Sequence, residues 1–216
     1  MLTAESIAEL LEPYRLAAAD GVEGAKAGQA DWAGICGQLA VYLGLILRWN
    51  ARINLTAIRE PEEIVRRHFG ESLFAGARLG GCATLLDFGS GAGFPGVPIQ
   101  LLRPEVEVTL AESRIRKAAF LREAVRSLGV RSEVWADRVE AMPEERRFNA
   151  VVLRGVDEME SAVGEAGRRA KERVMILGVR SADYPSLARD FGMEERVGLP
   201  GSREGVLLVA RRLRGG

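Results

Sequence analysis

Asp87-Phe88-Gly89-Ser90-Gly91-Ala92-Gly93-Phe94-Pro95-Gly96 is the stretch whose reading decides the fold. It follows an apolar run at 84–88 and leads into another apolar segment, the strand–turn–helix context a nucleotide-binding loop requires. Glycine lets the backbone turn sharply and approach a ligand with no Cβ in the way. A glycine triplet alone is equally a tight strand-to-helix turn, so the surroundings decide. The next apolar run ends at Ala111-Glu112, about 20 residues on, where a carboxylate accepts hydrogen bonds from ribose hydroxyls at a sheet's switch point. The plain alternative for Glu112 is a solvated charge at a strand end.

Outward from the loop, short apolar runs recur at 84–88, 106–111, 132–136, 149–153, 174–178 and 206–210, most separated by helical segments such as 115–128. Strands alternating with helices predict an α/β fold: a parallel sheet covered on both faces. Before residue 80 the spacing is helical, with Leu39, Tyr42, Leu43, Ile46 and Leu47 on one face. A second helix is expected from Pro61, a good first-turn residue, with Glu62 and Glu63 beside the positive helix end. The boundary falls near Gly80-Gly81: a helical cap over 1–80 and an α/β domain over 81–216, packed as one unit. The loop at 20–31 is rich in Gly and Ala, and the Arg211-Arg212-Leu213-Arg214 tail is expected to fray.

Gly91-x-Gly93-x-x-Gly96 also fits the dinucleotide fingerprint, which makes an NAD-dependent oxidoreductase a rival reading. Two residues oppose it. The Asp87 carboxylate would repel a pyrophosphate, whereas it can organise the loop backbone or meet a cationic amino group. Pro95 removes an N–H where a helix N-terminus would offer donors to phosphate. S-adenosylmethionine carries no phosphate and loses nothing there.

The totals bound the rest. With 216 residues, 47% hydrophobic and 28% charged, a sizeable core forms and disorder is disfavoured. Cys36 and Cys82 make no disulfide framework and no metal spacing, and the chain opens on no cleavable signal, so a reducing cytoplasm is expected. The apolar run 33–47 falls short of the roughly 20 residues a bilayer needs and carries Gln38, which predicts a core helix. Thirty basic against thirty acidic residues argue against a general nucleic-acid coat but leave room for one basic face. The basic residues are arginines except for Lys26, Lys117 and Lys171. Arginine binds phosphate in two places and stacks on bases, which suits RNA; a GC-rich genome gives the same bias.

Residues 87–98 resemble the first motif of the bacterial 16S rRNA guanine-N7 methyltransferase family, also called glucose-inhibited division protein B, and the Phe94-Pro95-Gly96 tail is the specific part. Arg48-Trp49-Asn50, Asn54-Leu55-Thr56-Ala57-Ile58, His68-x-x-Glu71-Ser72-Leu73, Arg103-Pro104-Glu105, Glu112-Ser113, Lys117-x-x-Phe120-Leu121-Arg122 and Arg138-Val139-Glu140 occur in the family's order. The resemblance runs from Leu43 to Arg154. It implies a Rossmann-like methyltransferase sheet of seven strands, mostly parallel with the last antiparallel, S-adenosylmethionine as cofactor, and 16S rRNA or the 30S subunit as partner. A monomer without metal or membrane is expected. Cofactor contacts are implied at Asp87, Gly89, Gly91 and Phe94, at Glu112 for the ribose, at Arg138, Val139 and Glu140 by the adenine, and at Arg154 near the reacting end. The chain departs from the family at Glu71 and Glu112, where aspartate is usual, at Gly155-Val156-Asp157, and at Leu177-Gly178.

Guanine N7 has a lone pair and no proton to lose, so alignment and exclusion of water do most of the work. Arg154 is the candidate for positioning, against the alternative of a surface arginine. His68, the one histidine, reads as structural rather than catalytic. RNA contacts are expected from Arg116, Lys117 and Arg122, with Arg114 and Arg126 on the same helix and Arg48, Arg52, Arg66 and Arg67 on the cap. Methyl transfer to another RNA or a small molecule, and a non-catalytic role in ribosome assembly, remain as alternatives.

Overall fold

Strands covered by helices on both faces are apolar at nearly every position, and these segments form the middle of one seven-stranded sheet. The computed structural model describes residues 2–19, 31–180, 187 and 190–213. The sheet contains β1 (Thr84–Phe88), β2 (Glu107–Ala111), β3 (Glu133–Trp135), β4 (Phe148–Arg154), β5 (Ala170–Val179), β6 (Phe191–Gly198) and β7 (Gly205–Arg212), in the order β3-β2-β1-β4-β5-β7-β6. The first five run parallel, and β7 is antiparallel to both β5 and β6. Strand order reverses between β1 and β4, the switch point where ligands settle in such sheets. Phe88 pairs with both Ala111 and Leu153, so the three strands are level there. Gly89, Glu112 and Arg154, each one residue further along its chain segment, emerge at one edge.

Side chains on a strand alternate between faces. Leu85, Ala150, Val152, Met175 and Leu177 join one apolar cluster; Leu86, Phe88, Val151, Leu153, Val174 and Ile176 join the other. Helix α7 (Met159–Arg169) covers the second face with Val163 and Ala166. The first face carries α5 (Gly96–Leu102) and α6 (Ile115–Leu128), and with them the N-terminal helices α1 (Ala4–Ala19), α2 (Trp32–Asn50), α3 (Pro61–Glu63) and α4 (Glu71–Ala77). Ile7 and Leu11 of α1 and Leu39, Tyr42, Leu43 and Ile46 of α2 are fully buried in the same cluster as Leu85. Among the described residues, the cap shares its apolar cluster with this face of the sheet.

The 33–47 run is a core helix as expected, within a longer element, while other expectations are corrected. Helix α2 spans 19 residues, longer than the run read from sequence and long and apolar enough by composition to cross a membrane. Its apolar face is instead packed into the core, while Asp31 caps its start by accepting from Gly34 N at 3.0 Å. The helix begun at Pro61 is interrupted: Ile64–Gly70 is π-helical before α4 resumes the α geometry. The sequence runs omitted β6, an edge strand bearing Glu194, Glu195 and Arg196, because a strand paired on one side needs little apolar character. The tail does not fray at its start: Arg212 ends β7, stacks 4.5 Å from the Phe191 ring and donates to Gly167 O and Ala170 O. Arg214 and the 20–30 part of the Gly/Ala-rich loop lie outside the described residues.

Because cap and sheet share a core, Leu43→Ala should destabilise the whole chain by about 2–5 kcal/mol in one transition. Urea unfolding followed by tryptophan fluorescence and circular dichroism tests this; two separated transitions would make the cap an independent unit.

Candidate active-site cleft

The loop after β1 is fixed from three sides. Ser90 N donates to Ala111 O at 2.8 Å, tying it to β2. From below, Asp87 Oδ2 accepts from Gly96 N at 2.9 Å, and Asp87 has no exposure to water. From the cap, the Tyr42 hydroxyl donates to Ala92 O. Gly93 has φ +84°, and a Cβ there would lie 2.4 Å from the Tyr42 hydroxyl, so only glycine allows the cap this close.

The start of α5 offers nothing to a phosphate. Gly96 N is bonded to Asp87, Val97 N donates to Gly93 O, Pro98 has no N–H, and Ile99 N donates to Pro95 O. This accounts physically for the expected effect of Pro95.

Above the loop lies a cleft of about 1350 Å³. Its floor is Phe88–Ala92 with Phe94; its walls come from 112–114 with Lys117, 137–140 and 154–158, and the cap contributes Thr56, Arg66, Arg67, His68 and Glu71. Glu112 is buried, with Oε2 accepting from Gly91 N at 3.0 Å and Oε1 from Arg114 N at 2.7 Å. Arg138, Val139 and Glu140 stand opposite at a short 3-10 turn, Val139–Ala141. Of the expected cofactor residues, only Asp87 stays out of the wall: it lies under the loop and organises its backbone.

Arg154 closes the cleft toward the cap. It donates to His68 Nδ1, to Glu71 Oε2 at 2.8 Å and to Arg67 O at 3.2 Å. The guanidinium is thus committed to protein partners rather than displayed as a surface charge. His68 stacks on Phe94 with ring centroids 4.5 Å apart and reaches Thr56 Oγ1 through Nε2 at 2.7 Å. Burial, reinforced by Arg154 and Arg67, pushes its pKa down to about 2, so the ring is neutral. The same burial pushes Asp87 up to about 7.

The basic candidates divide. Arg114, Lys117, Arg66 and Arg67 line the cleft; Arg116, Arg122 and Arg126 lie exposed elsewhere on α6, and Arg48 and Arg52 are exposed away from it. Arg66 is paired with Glu62 at 3.0 Å and Arg114 with Asp157 at 3.2 Å. Sequence reasoning missed Thr56 as a wall residue, Asp137 beside Arg138, and Val156, whose side chain stands over Gly89.

Residues 35–184 match the GidB family, described as rRNA small subunit methyltransferase G. The Ribosomal RNA small subunit methyltransferase G of Nitrosomonas europaea is 42% identical over 142 residues, covering 65% of this chain and 66% of that protein, just under two thirds of its length. The protein of the same name from Xylella fastidiosa is 42% identical over 151 residues, covering 68% of this chain and 69% of its own. Among solved structures, a putative transferase of Pyrococcus horikoshii aligns with a TM-score of 0.54 at 15% identity, covering 67% of this chain and 64% of that one. A T. thermophilus 16S rRNA methyltransferase in complex with AdoMet and guanosine aligns at 0.53 and 22% identity, covering 67% and 43%. At such identities the likeness carries the fold alone.

The two shifted groups act on stability in opposite senses. Native Asp87 keeps its proton to about pH 7, whereas the unfolded carboxyl loses it near 3.8, so its contribution falls as pH rises between them. Native His68 stays neutral while the unfolded ring is protonated below about 6.5, so its contribution falls as pH drops below that. Relative to wild type, Asp87→Asn should gain stability from pH 4 to 7 and level off above, by at most about 4 kcal/mol. Urea titrations at each pH check this; a difference that does not vary with pH would mean Asp87 is ionised in the fold.

Proposed function

Because the chain belongs to the GidB family of rRNA small subunit methyltransferase G proteins, we propose that it transfers a methyl group from S-adenosylmethionine to N7 of a guanine in 16S rRNA. The observation that carries this reading is the convergence of three level strand ends on one cleft, with the glycine loop, Glu112 and Arg154 side by side.

The residues present fit S-adenosylmethionine. Each Glu112 oxygen accepts one backbone N–H, and a carboxylate oxygen takes two, so capacity remains for both ribose hydroxyls. Gly89, Gly91 and Phe94 form the surface beside it, Asp87 supports that surface, and Arg138, Val139 and Glu140 flank the adenine. The consumed donors at the start of α5 disfavour a dinucleotide. When bound, the cofactor supplies an electrophilic sulfonium methyl. The chain's own work is to orient the base, exclude water and hold the cap over the reacting end. Arg154 does the last, as a positioning residue, by bonding His68 and Glu71 of the cap from the end of β4.

Lys117 in the cleft and Arg116 and Arg122 on the exposed part of α6 contact the RNA in this reading. The target base is looped out to reach the cleft, as for other base-modifying enzymes. Residues 1–80 act as the cap and 81–216 as the cofactor-binding domain, working as a monomer on 16S rRNA or the 30S subunit in the cytoplasm.

Gly89 has φ +70°, and a Cβ on it would stand 3.2 Å from Val156. Gly89→Val should therefore abolish S-adenosylmethionine binding in calorimetry; unchanged affinity would count against the loop as the cofactor site. Arg154→Ala should lower turnover on the order of 100-fold. Labelled methyl transfer to 30S subunits lacking the modification measures it, and full activity would remove Arg154 from the mechanism.

A further inference from the structure

Thr56 lies half-buried between α2 and α3, on the cap side of the cleft. Asn50 holds its backbone, donating to Thr56 O at 3.1 Å and accepting from Thr56 N at 3.2 Å. The neighbours of its hydroxyl dictate what that group can do. Arginine has no acceptor, so Arg154 Nη1 donates to His68 Nδ1. The single proton of the neutral imidazole is then on Nε2, which donates to Thr56 Oγ1 at 2.7 Å. Ile58 N donates to the same oxygen at 3.1 Å. A hydroxyl has two lone pairs, and both are used. Its proton meets no acceptor among the described residues, in a side chain that lines the cleft.

We infer that Thr56 reads the target base, its hydroxyl donating to guanine O6 beside the N7 that receives the methyl group. The inference rests on the guanine-N7 reading above. Guanine presents N7 and O6 as adjacent acceptors, whereas adenine presents N7 beside an amino donor. A hydroxyl with no remaining lone pair matches guanine and meets the adenine amino group donor to donor. Such a group rejects the wrong base through the polar atoms it leaves unpaired. His68 and Arg154 are positioning residues here, fixing the direction of the Thr56 proton through the imidazole tautomer.

Thr56→Val, which replaces the hydroxyl with a methyl group, tests this beside Thr56→Ser, which keeps it. The substrates are 30S particles carrying either guanine or 2-aminopurine, which lacks O6, at the methylated position. Wild type and Thr56→Ser should favour guanine by about tenfold in kcat/KM, and Thr56→Val should treat the two alike, with cofactor Kd unchanged and Tm lowered because the His68 and Ile58 N–H groups lose their acceptor. Should the valine variant not fold, Thr56→Ala carries the same comparison. A guanine preference that survives loss of the hydroxyl overturns the inference, as does weakened cofactor binding with the preference intact. If wild type methylates neither particle, the guanine-N7 reading fails and this one with it. If wild type methylates guanine and the hydroxyl-free variants keep its preference, only the role of Thr56 falls.

Discussion

Asp87 sits at the end of β1 with no access to water, one oxygen bonded to Gly96 N–H and the other with no partner among the described residues. An ionised carboxylate in such a place is costly, and protonation is the cheaper state. What the group does is hold the start of α5. Its bond to Gly96 N joins the end of the strand to the first residue of α5, fixing both ends of the intervening loop. The positive φ values at Gly89, Gly91 and Gly93 are the backbone's answer to that constraint. Loop shape, and with it the cleft floor, depends on this buried acid.

The cap finishes what the acid begins. Phe94 is gripped between His68, stacked at 4.5 Å, and Tyr42, tilted at 5.7 Å, while Tyr42 itself stacks on Phe69 and Phe120. This aromatic series runs from the N-terminal helices through the loop to α6. These contacts pack loop, cap and α6 against one another, which suits the alignment-based reaction proposed above.

The apolar runs revealed the sheet's centre because doubly covered strands are apolar throughout; 115–128 matched α6 to the residue, since one amphipathic face and Gly129, at φ +65°, mark its limits. The edge strand β6 escaped because charge at an exposed edge resembles a loop. The π-helical segment at Ile64–Gly70 was equally invisible, as its extra residue per turn leaves no compositional trace. At the site, residues near the glycine loop were legible because chain proximity places them. Thr56 was quoted within a motif, yet its role depends on His68 and Arg154, distant in sequence and joined only by folding. Among the basic residues, Arg114 and Lys117 belong to the first turn beside β2 and point into the cleft wall, whereas Arg122 and Arg126 lie further along α6.

The sheet's two margins differ in construction but share a result. At one side β3 is three residues long; at the other β6 is bulged between Met193 and Glu195 and crossed by Arg173–Glu194–Arg211 ion pairs. Short length, a bulge and alternating charge each deny a passing strand the flat row of free amides it would need to zip on. A chain that carries a large apolar interior through synthesis and folding is thereby guarded against amyloid-like stacking along its own hydrogen-bond ladder.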